Sequence, residues 1–355
     1  MRRGPIPLII LGGSDIVPAR LPEGTRGRHS LGGYKAISLR IAGRPLILHL
    51  TERLRRTKAF APIYVAGPAS IYRKVEPSVP VIDTDGSLGA NLRAGVDTVR
   101  RSGFKGPIAF VAYDILPNPE DVQRLLDDYT RGSPSDAWFP LTPLPDTAGK
   151  LGASDWKPRY WIRLRPEEPP IGVLPGHLVI VNPEALRLPL VYRLLDALYL
   201  TRNRSIAARR FTVMHQILWA LLREELGALL HLRIPRLTYR VCRHAIPTAA
   251  RLSEGKATLR ELEDTLDSLV VRPEYRGKHP EAGLRMPVIN ALSFARDIDT
   301  EEEAREVGAR LDVQEASSEE PGDSGQASSR DHSSPPSRRA SRRRRRFWPP
   351  VCHPE

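Results

Sequence analysis

Residues 8–46 read LIILGGSDIVPARLPEGTRGRHSLGGYKAISLRIAGRPL, and this stretch decides the fold. A four-residue apolar run ends in Gly12-Gly13. About twenty polar, basic and glycine residues follow, then Lys35 and the turn Gly43-Arg44-Pro45-Leu46. A continuous apolar run that stops at paired glycines has the signature of a buried strand leaving a sheet. Glycine accepts dihedrals that other residues avoid, so the backbone N–H groups of such a loop can converge on an anion. A lysine at the far end adds a flexible point charge that reaches a phosphate. The loop is neither a Walker motif nor a dinucleotide fingerprint, because it has no Gly-Lys-Ser/Thr and no Gly-x-Gly-x-x-Gly.

Outward from this stretch, further apolar runs at 63–66, 79–82 and 108–112 alternate with amphipathic segments at 46–56, 88–101 and 119–129. Buried strands separated by helices of that length predict a mostly parallel sheet covered on both faces, a three-layer α/β/α sandwich. Strands are expected at 137–141, 160–164 and 177–181, helices at 186–200, 212–232 and 258–269, and a late strand at 288–294. Thr300 is placed to cap a helix opening on Glu301, Glu302 and Glu303, where acidic groups suit the helix dipole. The expected division is a core over 1–186, a helical insertion over 187–290, a return segment over 291–312 that completes the core, and a disordered tail over 313–355. Folded structure is expected to stop near Leu311.

The net charge of +13 first suggests a polyanionic partner, but Arg338, Arg339 and Arg342 to Arg346 supply seven of those charges within nine residues, leaving about six on the rest of the chain. A body that moderately basic fits phosphorylated small molecules as well as nucleic acid. The arginine run reads either as a handle for nucleic acid or an anionic surface, or as a solvated terminus. Cys242 and Cys352 form no metal or redox spacing, and Met1-Arg2-Arg3 leads into a strand rather than a cleavage site, so a cytoplasmic setting is expected. The segment 213–232 carries Arg223, Glu224 and Glu225 near its middle, which a lipid span does not tolerate.

Two further segments carry chemistry. In IAFVAYDILPNPEDV, Asp114 follows an apolar strand at its carboxyl end, where open α/β sheets bind ligands, and a carboxylate among cations suits Mg²⁺ bridging to phosphates. In VIDTDGSLGANL, Gly86-Ser87 opens a helix whose exposed N–H groups suit anion or base contacts; simple capping by Ser87 is the plainer reading. Asp297-Ile298-Asp299-Thr300 directs two carboxylates to one side of an extended segment, either beside a metal or as a cap on the last helix. Trp156, Tyr160 and Trp161 offer stacking surface or core packing, and His177 is either a structural histidine or a base.

The run Leu11-Gly12-Gly13, Lys35, Gly43-Arg44-Pro45-Leu46-Ile47 resembles the signature of the MobA-like NTP transferases, nucleotidyltransferases of the glycosyltransferase-A fold. The resemblance implies that Leu11, Gly12, Gly13 and Lys35 wrap and hold the phosphates of an NTP. It implies a metal aspartate at Asp114, with Asp297 or Asp299 near the same Mg²⁺, and nucleobase contacts from Gly86, Ser87 and Asn91. The implied reaction transfers NMP from the NTP to a phosphorylated acceptor with release of pyrophosphate. This chain departs from the family by a longer loop over 14–34, in which Arg20, Arg26 and Arg28 are equal candidates for the usual arginine. It also has Pro175-Gly176-His177 where an asparagine-containing acceptor segment is usual. A glycosyltransferase of the same fold normally carries Asp-x-Asp at the metal strand, which Tyr113-Asp114-Ile115 lacks. Two rival functions remain compatible with the sequence: noncatalytic nucleotide binding by the same fold, and nucleic-acid binding through the arginine tail.

Overall fold

The computed structural model describes residues 4–16, 18, 20–21, 29–146, 151–155, 157, 159–201, 219, 225–226, 238–239 and 241–319. Residues through Gln314 form one compact unit, and the described part of the second, 315–319, is the end of a helix. The expected helix over 212–232, the tail beyond Glu319 and Trp156 lie outside the described residues, apart from a few isolated positions between 212 and 232. Among the described residues no helix is long and apolar enough to cross a membrane.

The chain runs β1 (Ile6–Leu11), α1 (Lys35–Ser38), the hairpin β2 (Arg40–Ile41) and β3 (Arg44–Pro45), α2 (Leu46–Arg56), β4 (Phe60–Gly67), α3 (Ala69–Tyr72), β5 (Val81–Asp83), α4 (Leu88–Arg101), β6 (Ile108–Ala112) and α5 (Pro119–Arg131). Then follow β7 (Ala137–Trp138), β8 (Leu141–Pro143), β9 (Tyr160–Ile162), β10 (Ile171–Pro175), β11 (Leu178–Val181) and α6 (Leu188–Leu200). Helices Ile246–Ser253, Leu259–Val270 and Pro273–Lys278, strand β12 (Leu284–Arg285) and helix Glu301–Glu319 complete the described chain.

The central sheet has seven strands in the order β12-β7-β11-β6-β1-β4-β5. β1 is parallel to both β4 and β6, and β5 continues the parallel set; β11 runs antiparallel between β6 and β7. The sheet is therefore the mostly parallel α/β structure expected, and its layers follow from alternation along β1. Leu8 and Ile10 pack with Ile47, Leu50 and Leu54 of α2 and Val122 and Leu125 of α5. Ile9, on the other face, packs with Leu92, Val96 and Val99 of α4 and with Tyr192 of α6. The connections after β1 build first to one side, through β4 and β5, and then return to place β6 on the other. The order thus reverses between β1 and β6, and the crevice of an open α/β sheet lies at the carboxyl ends there.

Several boundaries differ from the sequence reading, and proline accounts for most of them, since it donates no ladder hydrogen bond. The expected strand over 137–141 is split at Pro140 into β7 and β8, which join different sheets. The run 79–82 contributes Val81–Asp83, after Pro80. The late strand is Leu284–Arg285 rather than 288–294. Beyond Pro287 only Val288 bridges, to Leu141, and Leu292–Phe294 is a 3₁₀ turn. The strand over 160–164 ends at Ile162, because the N–H of Arg163 turns to the Ala257 carbonyl (2.9 Å). The apolar pattern does not signal β10; with β8 and β9 it forms a small antiparallel sheet under helix Leu259–Val270. The last helix continues past Leu311 to Glu319, and its start is a capping box: Glu303 N–H donates to Thr300 Oγ1 and Thr300 N–H to Glu303 Oε2.

One close approach fixes the carboxyl ends of β1 and β4 together. A Cβ on Gly67 would lie 2.4 Å from Tyr72 Cε2 and 2.6 Å from the Gly12 carbonyl oxygen. Gly67→Ala therefore has to displace backbone, and the expected loss is about 1–3 kcal/mol, measured by urea unfolding.

Candidate functional site

Lys35 stands at the centre of the carboxyl edge, and its side chain is 1% exposed. Three features put it there. Asp15 and Gly33 exchange both backbone hydrogen bonds (2.8 and 3.0 Å), closing the long loop at a neck two residues before Lys35; Gly33 adopts φ +68°, a conformation that glycine takes without strain. Leu31 N–H donates to the Asp299 carbonyl (2.8 Å), tying the loop's return to the last connection of the chain. Ile298 N–H donates to the Asp114 carbonyl (2.7 Å), docking that connection onto the end of β6.

The result is a cage around one ammonium group. Lys35 Nζ lies 3.1 Å from Asp15 Oδ2, 3.0 Å from Asp114 Oδ2 and 2.8 Å from Asp299 Oδ1, and it donates to the Ile298 carbonyl at 3.2 Å. Burial acts to lower its pKa, but Asp114, then Asp299, Tyr113 and Asp15 more than reverse this and raise it far above the usual lysine range. The surrounding carboxylates thus favour the charged form.

A second buried lysine extends the network. Lys157 Nζ donates to the carboxylate and carbonyl of Asp297 and lies 3.4 Å from both Asp299 Oδ2 and Glu303 Oε1. Burial lowers its pKa, and Asp297, Asp299 and Glu303 together raise it. Burial would raise Asp297, but Lys157 and then His177, whose Nε2 is 3.7 Å away, hold it below the usual carboxylate range. Glu303 is pushed up, chiefly by burial. Asp299 is shared, one oxygen to each lysine. Among the described residues, five carboxylates thus face two ammonium groups.

Asp114, Asp297 and Asp299 each offer a carboxylate oxygen, and the three oxygens lie within 4.8 Å of one another. Three hard oxygen donors this close together fit Mg²⁺ or a similar divalent cation. The structure thus brings Lys35, Asp114, Asp297 and Asp299 together.

The other residues singled out from the sequence form a second group. Gly13 faces Asn91: a Cβ there would lie 2.5 Å from Asn91 Nδ2. Asn91 Oδ1 accepts from Gly86 N–H (3.2 Å) and Thr84 Oγ1 (2.9 Å), so Gly13, Gly86 and Asn91 are mutual neighbours. Leu11 is still in the ladder with Ala66 and Ala112, and Gly12 N–H donates to the Ala66 carbonyl at 2.7 Å. The Gly12 carbonyl accepts from Tyr72 Oη (2.7 Å), and a Cβ on Gly12 would lie 2.4 Å from that oxygen. Glycine at 12 is accounted for by Tyr72. Ser87 caps α4, accepting from Ala90 N–H (3.2 Å), and donates to Asp196 Oδ2 (2.9 Å); Gly89 N–H donates to Asp196 Oδ1 (2.6 Å). The start of α4 is thus taken by a carboxylate from α6.

Sequence reasoning missed Asp15, Lys157, Glu303, Asp196 and Tyr199 as members of the site. Asp15 is adjacent to Gly12-Gly13-Ser14 and could have been found by its place beside the glycine pair; the others carry no local signal. Of the aromatic group, Tyr160 packs against the small-sheet core and Trp161 is 49% exposed.

Removing one partner of a buried ionic group leaves charge without compensation, at about 3–5 kcal/mol. Lys35→Met leaves Asp15, Asp114 and Asp299 without their common cation, and a loss of that size is expected in urea unfolding, with far-UV circular dichroism of the folded state unchanged.

No family model matches the chain, and no curated protein matches it. Solved structures do resemble it. A hypothetical transferase from Thermus thermophilus is 19% identical, with TM-score 0.47, covering 84% of this chain and 99% of its own. A 4-diphosphocytidyl-2C-methyl-D-erythritol synthase is 13% identical, with TM-score 0.40, covering 88% of this chain and 99% of its own. A CMP:2-keto-3-deoxy-manno-octonic acid synthetase, complexed with CTP, is 13% identical, with TM-score 0.38, covering 59% and 86%.

Proposed function

We propose that the chain is a nucleotidyltransferase of the MobA-like kind, which transfers NMP from an NTP to a phosphorylated acceptor and releases pyrophosphate. The observation that carries this reading is the convergence of Lys35, Asp114 and Asp299 at the carboxyl edge between β1 and β6. That edge is where an open α/β sheet takes its ligand, and a lysine beside a carboxylate trio is suited to a polyphosphate that arrives with a divalent cation.

In this reaction an acceptor phosphate oxygen forms a bond to the α-phosphorus as the bond from that phosphorus to the β-phosphate bridging oxygen breaks. Pyrophosphate leaves with the electron pair. The acceptor oxygen is already ionised at neutral pH, so no strong base is needed, and the protein's work is positioning and charge neutralisation. Lys35 holds phosphate oxygens. Asp114, Asp297 and Asp299 would hold Mg²⁺, which when bound neutralises charge on the phosphates. Gly86 and Ser87, both exposed, offer the nucleoside a small-residue surface, and buried Asn91 holds Gly86 from behind.

A second reading has an observation of its own. Lys35 is bonded to three carboxylates, and the Gly12 amide is used by the sheet, which suits a protein that binds nucleotide without turning it over.

The test incubates the chain with each NTP, Mg²⁺ and a panel of phosphorylated acceptors and measures pyrophosphate. Release is expected with at least one pair, and Asp114→Asn is expected to lower it by about 10²–10³-fold, the usual cost of removing one group that stabilises transition-state charge. Nucleotide binding without release by any pair supports the second reading. No release, together with unchanged NTP binding in Lys35→Ala, rejects the proposed reaction, and a chain that binds no NTP rejects both readings. Truncation after Glu319, which spares the last helix, is expected to leave turnover within about twofold if the arginine run is a solvated terminus.

A further inference from the structure

Asp15 belongs to neither the glycine pair nor the carboxylate trio, yet it is among the most firmly held side chains of the site. Its side chain is 2% exposed. Its backbone is fixed by both hydrogen bonds of the Gly33 neck, and its Oδ1 accepts from Tyr199 Oη of α6 at 2.7 Å. Its Oδ2 lies 3.1 Å from Lys35 Nζ. The other two carboxylates on that ammonium, Asp114 and Asp299, are two of the three whose oxygens cluster as a candidate cation site. The ammonium and a divalent cation therefore compete for the same two residues, and Asp15 alone of the three is outside the competition.

We propose that Asp15 is a positioning residue for Lys35. Held by the Gly33 neck and by Tyr199, it keeps the ammonium at the head of the sheet, facing the phosphates, while a divalent cation takes the oxygens of Asp114 and Asp299. Without Asp15 the ammonium shares both of its remaining carboxylates with the cation and opposes it, and the cation leaves it the neutral Ile298 carbonyl as its nearby acceptor. The proposal rests on the nucleotidyltransferase reading only through the cation at Asp114 and Asp299.

The experiment uses the full-length chain and Mn²⁺ as probe, with free Mn²⁺ followed by electron paramagnetic resonance. Asp15→Asn is expected to weaken Mn²⁺ binding about tenfold, and Tyr199→Phe by a smaller factor in the same direction. In the Lys35→Met background Asp15→Asn is expected to change affinity by less than about twofold, since no ammonium remains to be held; a direct field effect of the Asp15 charge would persist there. Because Lys35→Met leaves buried carboxylates unpaired, a second measurement needs only folded Lys35. Acylation of Lys35 by an amine-reactive ester, mapped by mass spectrometry, is expected to stay slow in the wild-type chain with or without Mn²⁺, and to rise several-fold in Asp15→Asn when Mn²⁺ is added. Equal affinity and equal labelling in the wild-type and Asp15→Asn chains overturn the role of Asp15 while pyrophosphate release stands. A wild-type chain that binds no Mn²⁺ overturns the cation site itself, and this proposal with it.

Discussion

The structure depends on one buried ammonium group. A lysine taken out of water loses solvation worth several kcal/mol, and only close, well-placed anions recover it. Lys35 finds them on three segments far apart in the chain: Asp15 after β1, Asp114 after β6, and Asp299 in the connection before the last helix. The segments after β6 and before the last helix are also anchored by buried Ile115, Leu116 and Ile298. The shared cation ties them to one another, and backbone hydrogen bonds from Leu31 to Asp299 and from Ile298 to Asp114 fix the register in which they meet. The long loop that looked unconstrained in sequence is pinned at both ends.

The same electrostatics gives the site its sign. Among the described residues, two lysines stand among five carboxylates in a largely buried place. Such a cluster attracts a cation more strongly than the same groups would on the surface, because the interaction is weakly screened. Lys157 supports this arrangement from the far side. It lies in a segment latched to the last helix by Ser154 Oγ on Glu303 Oε1 (2.9 Å) and by the Ala153 N–H on Glu306 Oε2 (3.0 Å). The connection carrying Asp297 and Asp299 is thus held between Lys35 and Lys157.

What was legible in the sequence follows from what is local. The strands at β1 and β6 are continuous apolar runs, buried on both faces, and α4 begins at its Ser87 cap, so periodicity and caps suffice to find them. Asp114 stands just past the end of β6, so its place at the carboxyl edge could be expected from the parallel order of strands, whereas Lys35 is brought there by the neck at Asp15 and Gly33. Short strands near prolines were not legible in the same way. Pro140 and Pro287 interrupt ladders whose partners lie far along the chain, and the apolar pattern alone does not say which side of the proline pairs. Asp15, Lys157 and Glu303 were missed for a related reason. A charged residue in a polar loop looks solvated until its partner is known, and the partners here come from elsewhere in the chain.

The helical region after residue 187 was set apart from the core in the sequence reading, and its first helix shows how closely the two are built together. Asp196 and Tyr199 are three residues apart on α6, a spacing that puts both on one face. Asp196 takes the Ser87 hydroxyl and the Gly89 N–H at the start of α4; Tyr199 takes Asp15 beside Lys35. One turn earlier, Tyr192 packs in the core on the α4 side of the sheet, and a Cβ on Gly89 would lie 2.6 Å from its carbonyl oxygen. Moving α6 by even one ångström would disturb the cap of α4 and the carboxylate nearest the loop neck together. The helix is thus a structural part of the site, and the glycine at 89 is required by its approach.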